Sequence, residues 1–166
     1  MILDDHLVLF DNAAITASGQ ISDVIDRGAD APTLAAFGPG YAGTPLYLVL
    51  LVGTAFNGNS GAFTGLTVSL QSDSTANLTT SPTTHLATGA IPVASLTANT
   101  VLAVLPIPPG DYERYIGLKT THTGTTGVPT AGTLRGFLTA TPAQWQAMAA
   151  NNPRAWIAPA ESGGSS

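Results

Sequence analysis

The side chains able to do chemistry are few and scattered. Histidines stand at His6, His85 and His122, none in a ligand spacing such as HxxxH, so each reads as a solvated or structural side chain. Asp23, Asp26 and Asp30 share one loop-like stretch but do not follow the calcium pattern DxDxDG, which makes solvated charge the default. Asp111 and Glu113 come nearest to the paired carboxylates of a glycosidase, and their neighbour Arg114 points instead to an ion-paired turn. A Ser/His/Asp triad can be drawn from any chain with three histidines and many serines, so its availability carries no information. The absence of cysteine removes thiolate nucleophiles, thiolate metal sites and disulfides. There is no GxSxG, Walker loop or dinucleotide fingerprint. The expectation is a non-enzyme with no catalytic residues, no metal and no cofactor.

Composition narrows the partners. At 166 residues the chain is one domain, or one domain with tails, long enough to bury a core without staples. Only 9% of residues are Asp, Glu, Lys or Arg, against about 25% in ordinary soluble domains. Residues 31 to 110 hold a single such side chain, Asp73, so the surface is neutral, built from Thr, Ser, Ala, Gly and Asn. Net charge is −5, with four arginines, one lysine and no cluster of cations to displace phosphate counterions, which argues against nucleic acid as a partner. The opening residues, Met1 to His6, place two acids where a signal peptide needs a basic region, so synthesis in the cytoplasm is expected.

The elements that would position these side chains are strands. Pro45 and Gly53 fence seven consecutive apolar residues, Leu46 to Val52. That is far short of the roughly 20 needed to span a bilayer as a helix, and its fences and β-branched content favour a strand. Leu46, Leu48, Leu50 and Val52 share one face, and Tyr47, Val49 and Leu51 the other. Neither face is polar, whereas a strand of a small antiparallel domain normally keeps one face wet. The spacing predicts Leu46, Leu48, Leu50 and Val52 in the core, or their odd-numbered neighbours in the reverse register, with the second face under a subunit interface or a folded-back helix. Val101 to Leu105 has the same two-sided character.

Around them, Leu7 to Phe10 reads as a first strand or an N-terminal arm stopped by Asp11-Asn12. Ile15 to Ala17 and Ile21 to Asp26 flank a Ser18-Gly19 turn and are expected to pair as edge strands. Gly28 to Thr44 is a long Gly/Ala/Pro spacer containing Phe37 and Tyr41, read as a functional segment or an ordered flap. Asn57 to Gly61 is a turn. Leu66 to Gln71 alternates, with Leu66, Val68 and Leu70 inward. A polar loop from Asp73 to Thr84 precedes a weaker strand, His85 to Ile91, and Pro109-Gly110 turns into Tyr112 to Lys119, where Ile116 and Leu118 face the core. Residues 120 to 132 form a Thr/Gly loop before a last strand, Thr133 to Thr139. Seven to nine short strands point to an all-β, antiparallel jelly roll, sandwich or barrel.

The convincing helical stretch is Thr141 to Ala150, with Thr141 as N-cap, Pro142 at the first helical position and an apolar stripe of Trp145, Met148 and Ala149. Trp156 follows in a tail that ends in Glu-Ser-Gly-Gly-Ser-Ser, which reads as disordered. The chain thus divides into a domain over residues 1–140 and a helix and extended tail over 141–166. The tail either folds back as a cap or reaches out as a docking arm anchored by Trp145 or Trp156.

The order of pieces carries a resemblance. Leu-Asp-Asp-His-Leu-Val-Leu-Phe-Asp over residues 3–11 leads to Ile-Thr-Ala-Ser at 15–18 and Val-Ile-Asp-Arg-Gly at 24–28. Gly-Thr-Pro-Leu-Tyr-Leu-Val-Leu-Leu-Val follows at 43–52, then Leu-Thr-Val-Ser-Leu-Gln-Ser-Asp at 66–73 and Ser-Pro-Thr-Thr at 81–84. Pro-Pro-Gly-Asp-Tyr-Glu-Arg-Tyr-Ile-Gly-Leu at 108–118 and Thr-Ala-Gly-Thr-Leu at 130–134 complete it. From residue 1 to about 140 this resembles the capsid cement (decoration) proteins of tailed bacteriophages, of the Bordetella-phage type, most strongly at Pro45–Val52 and Glu113–Ile116. The longer 28–44 loop and the tail beyond Thr141 depart from that pattern.

The resemblance implies a jelly roll that forms homo-oligomers, dimers or trimers, and binds the major capsid protein on the outside of an HK97-type head. Candidate capsid or subunit contacts are Leu7 and Phe10, Phe37 and Tyr41, Tyr47, Tyr112, Arg114 and Tyr115, and Trp145 and Trp156. The rival expectation is a carbohydrate- or receptor-binding jelly roll of a phage tail or fibre, with Tyr41, Tyr112 or Trp156 as stacking platforms.

Overall fold

A computed structural model of the chain describes residues 7–28, 46–57, 63–124, 128–150 and 156–157. Seven strands of five residues or more form two sheets: β1 (Val8–Ala14), β3 (Tyr47–Val52), β4 (Gly65–Asp73), β5 (Thr83–Ala87), β7 (Val101–Pro106), β8 (Tyr115–Thr123) and β9 (Thr133–Thr139). Two-residue strands β2 (Ile25–Asp26), β6 (Ile91–Pro92) and β10 (Trp156–Ile157), a 3-10 turn at Val93–Ser95 and one α-helix, α1 (Ala143–Ala150), complete the described elements. One sheet runs β1-β9-β3-β7-β10 and the other β2-β8-β4-β5, with β6 beside β4.

The pairing is nested. β1 pairs with β9, β2 with β8, β3 with β7 and β4 with β5, all antiparallel. The chain is thus one long two-stranded ribbon with its tip between β4 and β5. The ribbon wraps until β9 also meets β3 and β8 meets β4. That wrapping is the jelly roll, two sheets face to face with few free edges.

Alternation along the strands supplies the core between the sheets. Leu48, Leu50 and Val52 of β3, Leu66, Val68 and Leu70 of β4, and Ile116 and Leu118 of β8 are buried in one cluster with Leu102, Ala103 and Leu105. The predicted register of β3 is therefore the observed one. Ser69, on the outward face of β4, is also buried, and its hydroxyl donates to the Lys119 carbonyl at 3.3 Å.

Three local expectations change. Asp11-Asn12 does not stop the first strand. β1 runs on to Ala14 through register shifts, with Asn12 in the left-handed region at φ 52°, so the polar pair forms a bulge. Residues 15–17 and 21–26 do not pair with each other. The turn between them exists, with Gly19 at φ 80°, but the turn and its second arm are drawn onto β8, where Gly19 N–H donates to the Thr120 carbonyl and Ser22 N–H to that of Leu118, while Ile15 N–H of the first arm donates to the Gly132 carbonyl. β8 itself continues to Thr123 rather than ending at Lys119, because β4 offers it a partner along the whole of Gly65 to Asp73.

Candidate functional site

With no catalytic constellation expected, the candidate site is the surface a partner would meet. It begins with the outward face of the β1-β9-β3-β7 sheet. Val49, Val101, Val104 and Phe137 are all buried there in a second cluster, separate from the core, with Val8, Tyr47, Leu51 and Trp145 half-buried against it. Register explains the assembly, since Val49 stands beside Val104 on one side and Phe137 on the other. Helix α1 packs across β7 and β10, and its Trp145 ring meets Phe137 edge-on at 5.2 Å between centroids. The Pro142 carbonyl accepts from the N–H groups of Trp145 and Gln146, both at 2.9 Å, which starts the helix over this patch. Fully burying four such side chains stabilises by roughly 6–12 kcal/mol before opposing terms. That is comparable to the whole net stability of a domain, so this face cannot stand open to water. Beside α1, β10 adds to β7 in parallel, Trp156 pairing with Ala103.

The opposite outward face is polar and organised by one carboxylate. Asp73 is 0% exposed. Its Oδ1 accepts from Thr75 N–H and the Ser74 hydroxyl, and its Oδ2 from the N–H groups of Thr80 and Ser81. Burial pushes its carboxyl up, but these donors outweigh it and hold the group below its ordinary value. The loop so tied brings Leu78, fully buried at φ 48°, over Gly117. A Cβ on Gly117 would stand 3.0 Å from the Leu78 Cδ1 and the Val24 Cγ1, so a larger residue there would push both side chains outward.

Where β2 meets the start of β8, Asp26 and Arg114 form a bidentate pair, Nε to Oδ1 and Nη2 to Oδ2, each 2.8 Å. Arg114, with the Gly28 N–H assisting, holds the Asp26 carboxyl down at about 2. The Arg114 guanidinium also lies 4.8 Å above the Tyr115 ring. Arg27 donates to the carbonyls of Tyr112 and Glu113. The expected ion-paired turn within Asp111–Arg114 is therefore replaced by a clamp to residues 88 positions away, because β2 lies against the start of β8.

The remaining candidates sort by burial. Phe10 and Tyr112, 2% and 1% exposed, are core residues with no side-chain surface to offer a partner. The Tyr112 hydroxyl donates to the Pro108 carbonyl at 2.7 Å, and burial raises it to about 12. With His85 stacked on its ring at 3.8 Å, it is no platform for a sugar. Leu7 is half-buried against the core. Tyr47 and Trp145 lie half-buried on the capped face, and Arg114 is exposed beside half-buried Tyr115. Phe37, Tyr41 and Asp30 lie outside the described residues, as do the Trp156 side chain and those of Met148 and Ala149. His85 accepts from or donates to the Ser72 hydroxyl at 2.8 Å, and His122 meets Phe63 edge-on at 5.2 Å, so both serve packing.

A family model described as Bbp16 matches residues 9–138, which is the jelly roll from β1 to β9. The chain belongs to the Bbp16 family. This is a Bordetella-phage type of family, and it makes the chain a phage virion protein. No curated protein matches the chain. The Bbp16 match stops short of α1 and β10, so the elements that seal the dry face lie beyond the matched unit.

The roles of Asp73 and Asp26 were hidden in the sequence. For Asp73 a signal existed, one acid among eighty residues followed by a Ser/Thr/Asn loop. For Asp26 none did, since its partner is distant in the chain.

Proposed function

We propose that this Bbp16-family chain is a capsid cement (decoration) protein without catalytic activity. It oligomerises on the outer surface of an HK97-type phage head and bridges neighbouring major capsid subunits. The observation that carries this reading is the match of a phage virion family to the closed jelly roll and nothing more. A sandwich with its apolar faces sealed and a polar, weakly charged exterior suits a part that must survive on a particle surface. A protein that binds only the mature lattice stabilises it by mass action. Several weak contacts from one oligomer hold through effective concentration. The exposed Arg114–Tyr115 stack and the rim of Tyr47 and Trp145 are the contacts we assign to capsid or neighbouring copies.

The test compares heads with and without the protein during heating or chelator treatment. Heads lacking it are expected to release DNA at lower temperature, with resistance restored by adding the purified protein. Equal survival of both kinds of head overturns the cementing role.

A further inference from the structure

An open depression of about 380 Å³ lies where the dry outward face runs out beyond α1, lined by Asn12, Leu51, Gly53, Thr54, Asn99 and Arg135 together with Val52. Two of its wall residues, Asn12 at φ 52° and Asn99 at φ 58°, hold the left-handed conformation that asparagine tolerates, and so fix the course of the wall. The wall is also pinned. The Thr133 hydroxyl accepts from Thr54 N–H at 2.7 Å, so its own proton goes to the Asn12 Oδ1, also at 2.7 Å. That bond orients the amide with Oδ1 inward on Thr133 and leaves Nδ2 as the end that can donate elsewhere. A Cβ on Gly53 would stand 1.9 Å from the Asn12 Oδ1, so this glycine is what lets the amide close in.

Arg135 supplies the charge. Among the described arginines, Arg114 grips a carboxylate with two bonds and Arg27 two backbone carbonyls. Among the described residues Arg135 is paired with Asp11 alone, through its Oδ1 at 3.3 Å, and the two side chains are 52% and 77% exposed. Exposed pairs of that kind contribute little and exchange readily. Leu51, half-buried, gives the hollow an apolar floor.

We infer that this depression is a binding site for a carboxylate side chain of a partner polypeptide. The guanidinium of Arg135 takes the carboxylate, amide donors of Asn12 and Asn99 flank it, and Leu51 receives the methylenes. The inference stands apart from the cementing role, because it is measured on the isolated protein. The probe is N-acetyl-glutamate amide, titrated into ¹⁵N-labelled protein. Saturable amide shifts are expected at Gly53, Thr54 and Asn99, with a Kd in the millimolar range. Binding should weaken about tenfold in Arg135→Gln, and about tenfold when the probe is the matching glutamine derivative. Asp11→Asn, which removes the competing carboxylate, should tighten binding about twofold. Shifts that do not saturate, that scatter over the surface, or that survive unchanged in Arg135→Gln overturn the site.

Discussion

The outward faces of the two sheets solve opposite problems. On the β1-β9-β3-β7 sheet Val49, Val104 and Phe137 point away from the core, and a helix from the end of the jelly roll lies over them. On the β2-β8-β4-β5 sheet the outward positions of β4 and β8 are Thr67, Ser69 and Gln71 with Tyr115, Lys119 and Thr121. Leu78 covers it at Gly117, beside Val24, lowered there by a loop tied to Asp73. One face is closed by hydrophobic burial, which is large and non-directional; the other by a few directed hydrogen bonds. The dry face is occupied by the chain's own helix, so under the proposed cementing role the contacts are assigned to its rim and to the polar side.

The largest effect should come from opening the dry face. Phe137→Ala removes a fully buried ring from both Val49 and Trp145, and is expected to destabilise by about 3–5 kcal/mol in denaturant unfolding. Trp145→Ala, at a half-buried position, should cost less and should raise binding of a hydrophobic dye to the folded protein. A Trp145→Ala protein as stable as the original, with no dye bound, would mean that α1 does not seal the sheet.

The polar face should respond next, through charge state. Asp73→Asn keeps shape but replaces an anion that accepts from two pairs of donors with a neutral amide. A fall of several degrees in melting temperature is expected, together with proteolytic cutting in residues 74–82 that the Phe137→Ala protein does not show. Acid should do the same to the parent protein. Asp73 and Asp26 are held below their ordinary value of 3.8, so the unfolded chain takes up protons first. Both contributions are present above that ordinary value and are lost as pH falls through the lowered folded-state values, that of Asp26 lying at about 2. His85 acts in the same direction, since burial lowers it from 6.5 against the opposing charge of Glu113. The unfolded chain again binds the proton first, so its contribution is whole above pH 6.5 and declines below. Melting temperature measured between pH 8 and 3 should fall with acidity. In His85→Gln the first part of that fall, below pH 6.5, should be smaller.

The smallest change is expected at the Asp26–Arg114 pair, which is exposed on both sides. Arg114→Ala should move the melting temperature by about a degree. Under the cementing role it should nonetheless weaken retention on heads more than Phe10→Leu, a core change of larger effect on stability. The opposite order would remove Arg114 and Tyr115 from the contact surface.

Much of the architecture was legible locally. Alternation marked Leu66 to Leu70, the fenced run marked Tyr47 to Val52 with the right residues inward, and Pro142 with Trp145 marked the helix. These follow from periods of two and 3.6 residues, which neighbours in the chain suffice to set. Composition likewise excluded thiol chemistry, since the chain has no cysteine. What the tertiary structure decided were the distant partners: β1 against β9, Asp26 against Arg114, Trp145 against Phe137, and Asn12 beside Gly53 and Arg135. Strand pairing depends on which ribbon arms meet after wrapping, and no local pattern records that. The sequence alone required that the second face of Tyr47 to Val52 be covered; only the folded chain showed that its own helix does so, because burial is set by whatever lies nearest in space.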